Sequence, residues 1–199
     1  RSMEIIASEM GATSFTQEQL PIVKRCIHTS ADFDYVKNLR FTAGAVEAGL
    51  AAIRAGCTIV TDTQMARSGI NKKVLGKFGG QAVCFMSDED VAAEAKARGE
   101  TRATVSMERA AALMGPVILA VGNAPTALVR ACELMEAGTF SPALVIGVPV
   151  GFVNVVESKE LLASMPGEHI IAMGRKGGSN IAATICNAML YMASGNARE

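Results

Sequence analysis

Five short segments of the chain are apolar at nearly every position instead of alternating: CTIVTD (57–62), QAVCFM (81–86), PVILAVG (116–122), ALVIGVP (143–149) and EHIIAMG (168–174). A strand that packs against helices on both faces must be apolar on both, so these runs predict strands of a parallel sheet. Between them the apolar positions recur at helical spacing. In SDEDVAAEAKARG, Ser87 takes the N-cap place with Asp90 three residues on as in a capping box, Lys96 and Arg98 fall in the last turn, and Gly99 ends the helix. NAPTALVRACELMEAG has Pro125 in its first turn, Leu128, Cys132 and Met135 on one face, and Gly138 at its end. Further helices are expected at 43–55, where Val46, Leu50 and Ile53 form a stripe, and at 104–114, 152–164 and 179–193. Near the N-terminus, residues 17–28 carry Ile22, Val23, Cys26 and Ile27 at helical spacing, with Thr16 as N-cap and Pro21 as a weak point early in the element.

The alternation of strand and helix predicts an α/β fold with a five-stranded parallel sheet covered on both faces and joined by right-handed crossovers. No repeat, low-complexity tract or linker divides the chain, so a single domain over residues 1–199 is expected. In such a sheet, ligands bind beyond the carboxyl ends of the strands. Five loops are therefore of interest: Thr61 to Thr63, Ser87 to Asp88, Gly122 to Asn123, Pro149 to Gly151 and Gly174 to Gly178.

Composition narrows the partners. Nineteen basic residues balance nineteen acidic ones without a basic tract, and seven Phe and two Tyr offer few stacking platforms, which disfavours nucleic acid. The longest apolar runs, at 117–121 and 143–156, are shorter than the ~20 residues that cross a bilayer, and no secretory pattern opens the chain. A soluble, cytoplasmic protein without membrane association is expected. The five cysteines, Cys26, Cys57, Cys84, Cys132 and Cys186, are scattered without metal-ligand spacing and read as reduced core residues.

The loops admit competing readings. In GRKGG, backbone N–H groups, a helix start near Ser179, Arg175 and Lys176 can converge on an anion, although an ordinary turn with solvated cations has the same appearance. GNAPT (122–126) suggests either a direct substrate contact by Asn123 or a turn in which Asn123 caps the following helix. With neither GxGxxG nor a P-loop present, a nucleotide-dependent enzyme is disfavoured. Asp62 and Asp88, at strand ends, are either acids and bases or helix caps.

Only two histidines occur, and His28 lies in RCIHTSADFDY, among hydroxyls, carboxylates and a thiol just where a helical pattern stops. A helix C-terminus carries partial negative charge and favours imidazolium, the form an acid catalyst needs, while burial opposes it. Capping or surface placement is the competing reading. Cys26 is two residues from His28 and so does not face it on a helix, which leaves Cys26 a packing role. His169 begins a strand and is the weaker catalytic candidate.

IHTSADFDY, GLAAIRAGCTIVTDTQMARSGI, VGNAPTALVRACELMEAG, VIGVPVGFVNVVESKELL and GRKGGSNIAATICNAML, taken together and in this order, resemble the precorrin-8X methylmutase family of cobalamin biosynthesis. The resemblance spans nearly the whole chain. It implies a flavodoxin-like three-layer α/β/α fold, a homodimer, and an intramolecular methyl migration from C11 to C12 of precorrin-8 or its cobalt form. It implies no cofactor beyond any cobalt that the corrinoid substrate carries. His28 occupies the place of the family's proton donor. Among substrate contacts, Ser2 of RSMEII and Arg102 of ETRA match family positions, and Thr63, Asn123, Arg175, Lys176 and Gly177 lie in loops suited to a carboxylate-bearing ligand. Asn71 stands where many relatives carry Thr, and HTSADF is closer to the cobalt-containing branch. A corrinoid carrier without turnover is the alternative from another functional class.

Overall fold

A computed structural model describes residues 1–195, and among these described residues eleven helices and six strands follow one another. The N-terminal part holds α1 (Ser2–Met10), α2 (Leu20–Ser30), α3 (Tyr35–Asn38), β1 (Leu39–Phe41) and α4 (Ala45–Arg54). Next come β2 (Thr58–Thr61), α5 (Gln64–Gly69), α6 (Lys72–Lys77), β3 (Gln81–Val83), α7 (Glu89–Arg98) and α8 (Arg102–Ala111). The last part is β4 (Val117–Val121), α9 (Pro125–Glu136), β5 (Leu144–Gly147), α10 (Val155–Ser164), β6 (His169–Ala172) and α11 (Ser179–Ser194).

The strands lie in the order β1-β6-β5-β4-β2-β3. The five apolar runs all form strands, and all pair in parallel. The sheet is nevertheless six-stranded and mixed, which corrects the expectation of five parallel strands: β1 adds to the edge antiparallel to β6, with Leu39 opposite Ala172 and Phe41 opposite Ile170. This strand is three residues long and has Arg40 exposed at its centre, so it lacks the continuous apolar signature of a strand buried on both faces.

Successive strand residues point to opposite faces, and each face has its own core. Ile59, Ile118, Ile146 and Ile170 pack with α2, α4 and α11, including Ile22, Ile53 and Ile185. Val60, Leu119, Val145 and Ile171 pack with α8, α9 and α10, including Met107, Leu128 and Leu162. The continuous apolar character of the strands follows from this two-sided burial.

Local details depart from the expected caps. Helix α7 starts at Glu89 with Asp88 at its N-cap and no side-chain cap bond, while Asp90 turns to Arg109 at 2.6 Å. A cation across the α7–α8 interface gives that carboxylate a charge-assisted partner in place of the backbone. Helix α2 starts at Leu20, and Thr16 and Gln19 exchange reciprocal backbone-to-side-chain bonds of 3.1 and 3.2 Å in the turn before it. Pro21 falls in the first turn, where its missing N–H leaves no bond unmade.

Candidate functional site

The strand order reverses between β2 and β4, so their carboxyl ends flank the crevice where this architecture takes ligands. Here that crevice is filled from within. Asp62, 1 % exposed, accepts hydrogen bonds from the backbone N–H groups of Gly122 at 2.8 Å, Asn123 at 2.8 Å and Ala124 at 2.6 Å. Burial pushes its carboxyl upward while the three donors pull it down. Asn123 does not cap α9: the N-cap is Ala124, without a side-chain bond, and Asp62 supplies the acceptor from the neighbouring strand instead. The donors that would receive a nucleotide phosphate are thus already occupied.

Helix α11 closes over the same crevice. The Thr63 hydroxyl caps α5 by accepting from the Ala66 N–H and is 2.7 Å from the Ser179 hydroxyl. Gly122 lies so close to α11 that an added Cβ would stand 2.7 Å from the Gly178 carbonyl oxygen and the Ser179 Cα. The loop leading into α11 is also held from below. Gly178 N–H donates to the Val148 carbonyl at 2.9 Å, and Gly151 N–H donates to the Arg175 carbonyl at 3.0 Å. A Cβ on Gly177 would meet the Val148 carbonyl oxygen at 2.1 Å, so only glycine fits there.

A buried lysine that the sequence reading did not single out completes this support. Lys159, on α10, is fully enclosed and donates to the carbonyls of Gly174 at 2.7 Å and Lys176 at 2.9 Å. Burial pulls its ammonium down to about 8. Its signal was present in the sequence: Val155, Ser158, Lys159 and Leu162 share one buried stripe of the helix, and a lysine in such a stripe needs partners.

His28 sits in the last turn of α2, exposed. The helix ends at Ala31 in the left-handed conformation, φ 57°, with its N–H returned to the Ile27 carbonyl, and the Ser30 hydroxyl returned to the Cys26 carbonyl. Helix α2 packs along α11, with Thr29 and Thr184 hydroxyls 3.0 Å apart and the Arg25 guanidinium over the Tyr191 ring. These contacts run the two helices antiparallel, so the His28 end of α2 lies beside the first turns of α11. Lys176 then ties the segment after α2 to the loop before α11, pairing with Asp32 and Asp34 at 2.7 Å each. The Lys176 hydrogen bond, together with one from the Asp34 N–H, holds the Asp32 carboxyl below the usual range.

An apolar rim borders these loops. Val150, Phe152 and Val153, in the loop after β5, and Met65, at the start of α5, are exposed large hydrophobic side chains, with Phe152 79 % exposed. The Arg175 guanidinium lies over the Phe152 ring, 5.2 Å from its centroid.

The structure therefore brings His28, Thr63, Asn123, Arg175, Lys176 and Gly177 to one end of the sheet. Arg102, exposed, opens α8 at that same end, because Thr104 of this helix lines a cleft with Pro125, Thr126 and Asn154 from the first turns of α9 and α10. No hydrogen bond or ion pair among the described residues joins the Ser2 side chain to these loops: it is exposed on α1, whose Met3, Glu4 and Ala7 line a separate cavity of about 610 Å³ with Lys24, Tyr191 and Met192. His169 begins β6, at the amino end of the sheet, with its Nδ1 buried and unpartnered among the described residues. Cys26 is buried, and burial pushes its thiol up to about 12, which fits packing and not nucleophilic chemistry. Among the described residues no three His, Cys, Asp or Glu side chains are grouped to hold a metal ion, and no helix is long and apolar enough to cross a membrane.

Comparison with known proteins places these features in a family. The family model for precorrin-8X methylmutase matches residues 1–192. A cobalt-precorrin-8 methylmutase of Priestia megaterium is 45% identical over 193 residues, covering 97% of this chain and 86% of the relative. Another from Salmonella typhimurium is 48% identical over 171 residues, covering 85% and 80%. The solved structure of the precorrin-8x methyl mutase from Thermus thermophilus superposes with a TM-score of 0.91 at 42% identity, covering 98% of this chain and 95% of that one. With its sequence matched along nearly its whole length and its fold matched to a member's, this chain belongs to the precorrin-8X methylmutase family, and is an isomerase.

Proposed function

We propose that the chain moves a methyl group from C11 to C12 of cobalt-precorrin-8 or precorrin-8 in cobalamin biosynthesis, giving cobyrinate or hydrogenobyrinate, with His28 as the proton donor. The observation that carries this reading is the convergence of His28 and the Gly174 to Gly178 loop at one end of the sheet, pinned together by Lys176 with Asp32 and Asp34, in a chain of this family. In the metal-free substrate, protonation of a ring nitrogen beside the migrating methyl draws electron density from the conjugated system and lowers the barrier to the shift; in the cobalt form, whose ring nitrogens are already bound by the metal, the proton goes to the conjugated carbon framework with the same electronic effect. The reaction is an isomerisation, so the proton returns once the new carbon–carbon bond has formed. General acid assistance contributes ~10²–10⁴-fold, and holding the macrocycle in a reactive conformation adds to it.

The substrate combines a broad flat ring with several carboxylates, and the site has parts suited to both. Met65, Val150, Phe152 and Val153 offer an apolar platform, while Arg175, Arg102 and the N–H groups of Arg175, Lys176 and Gly177 offer partners for carboxylates. Ser2, Thr63, Asn123, Lys176 and Gly177 complete the proposed contacts, Lys176 and Gly177 through the shape of the loop. The relatives at 45% and 48% identity are both named for cobalt-precorrin-8, which favours the cobalt form. Cobalt then belongs to the substrate, and no cofactor is assigned to the protein.

The five parallel strands, taken by themselves, run second, first, third, fourth, fifth, the flavodoxin-like order, and the match over residues 1–192 favours a single methylmutase domain over 1–199. A cytoplasmic homodimer remains part of the proposal. Anaerobic incubation of the protein with cobalt-precorrin-8, followed by absorption spectroscopy, tests the function. Conversion to the corrin spectrum is expected; a stable bound spectrum without conversion would identify a corrinoid carrier, and no spectral change with either substrate form would overturn the proposal.

A further inference from the structure

Lys159 is the largest fully enclosed side chain of the described residues, and its ammonium meets two carbonyls and no carboxylate. Burying an unpaired ammonium is far costlier than burying an apolar chain of similar length, such as methionine. The cation therefore has a use that packing does not supply. The carbonyls of Gly174 and Lys176 bond to Lys159, and the carbonyl between them, of Arg175, bonds to the Gly151 N–H. Three consecutive carbonyls are thus all engaged by the protein. All peptide bonds of the described residues are trans, and in a trans peptide the N–H points opposite to its C=O, so the N–H groups of Arg175, Lys176 and Gly177 point away from the partners of these carbonyls. None of these three N–H groups has an acceptor among the described residues. Successive N–H groups form a concavity suited to an anion.

We propose that Lys159 is a positioning residue that fixes the carbonyls of the Gly174 to Gly178 loop, and so presents the N–H groups of Arg175, Lys176 and Gly177 as a cradle for one carboxylate of the corrinoid. This rests on the reading of that loop as a substrate-carboxylate site. The contact of Lys159 is with the loop, and its influence on the ligand passes through the peptide planes.

Two probes separate the loop's shape from its use. Amide hydrogen exchange in the free protein reads the shape: in Lys159→Met, the Gly151 and Gly178 amides, which bond to the Arg175 and Val148 carbonyls, are expected to exchange at least ~10-fold faster, while amides of β4 keep their protection. Binding reads the use: cobyrinic acid should bind ~10-fold more weakly to Lys159→Met than to the parent, while its heptamethyl ester, which lacks the carboxylates, binds both equally. With the natural substrate the same change should raise KM and leave kcat within a few fold. Lys159→Gln, which keeps a donor in place of the ammonium, should fall between the two and serves the same measurements if the methionine variant does not fold. Unchanged exchange at Gly151 and Gly178 overturns the inference, as does equal loss of acid and ester binding. If the parent protein binds neither probe, the corrinoid reading fails, and accelerated exchange still supports the positioning of the loop by Lys159.

Discussion

Lys176 and Asp32, 144 positions apart in the chain, meet at 2.7 Å, and Asp34 joins the same ammonium at the same distance. Through this contact the loop that opens α11 is fastened to the segment that follows His28. The ammonium is therefore engaged by the protein, and Lys176 holds these two segments together. Lys176→Met should leave the melting temperature nearly unchanged, because pairs this exposed add little to stability. Turnover should fall several-fold, and the parent enzyme should approach the variant's rate at ~1 M salt, where the screening length is about 3 Å. Steady-state kinetics against ionic strength check both.

Asp62 places a carboxylate where this architecture often admits a ligand's phosphate. Asp62→Ala leaves three N–H groups at the start of α9 without their acceptor and should destabilise the fold by about 3 kcal/mol or more, seen as a lower urea midpoint.

Gly177 and Gly76 give opposite outcomes for the same change. Gly177→Ala sets a Cβ 2.1 Å from the Val148 carbonyl oxygen, so the loop must move and corrinoid binding should be lost. Gly76 lies in α6 with open space around its Cα, and Gly76→Ala should raise stability by about 0.5–1 kcal/mol. Thermal unfolding and corrinoid titration of both variants distinguish the effects.

Glu108 is held down to about 2 by Arg98 first and Arg130 second, against the opposing effect of its partial burial. Its depressed folded-state value means that the stabilisation is complete above the ordinary carboxylate range and disappears as pH falls from about 4.5 to about 2. Glu108→Gln should cost about 1 kcal/mol at pH 7, discounted for exposure, and nothing at the acid end of that window. Urea unfolding of the two proteins across pH 2–7 measures the difference, where the native state persists.

The elements that build the sheet interior were legible in the sequence because burial on both faces imposes one signature, as in VILAV, where Ile118 and Leu119 serve different cores. Elements under other constraints were not. The edge strand β1 has three residues with Arg40 at its centre, and α5 and α6, six residues each, are too short for a stripe to emerge. The site was legible as a set of loops, and GRKGG was found by its glycines and cations. Its support was not, because Asp62 with the Asn123 N–H, Lys159 with the Gly174 carbonyl, and Asp32 with Lys176 are contacts between distant segments, which no local pattern encodes. The apolar rim was present as Val150, Phe152 and Val153, but whether a loop hydrophobe is covered or exposed depends on the packed fold.

In the proposed function His28 acts in the chemical step and not in holding the ligand. The direct measurement is a single-turnover experiment with His28→Ala and cobalt-precorrin-8, in which binding and methyl migration are followed separately by absorption and by NMR of the migrating methyl. Affinity is expected to stay within a few fold of the parent and migration to slow ~10²–10⁴-fold, the range of general acid assistance. Migration at the parental rate by His28→Ala would contradict it.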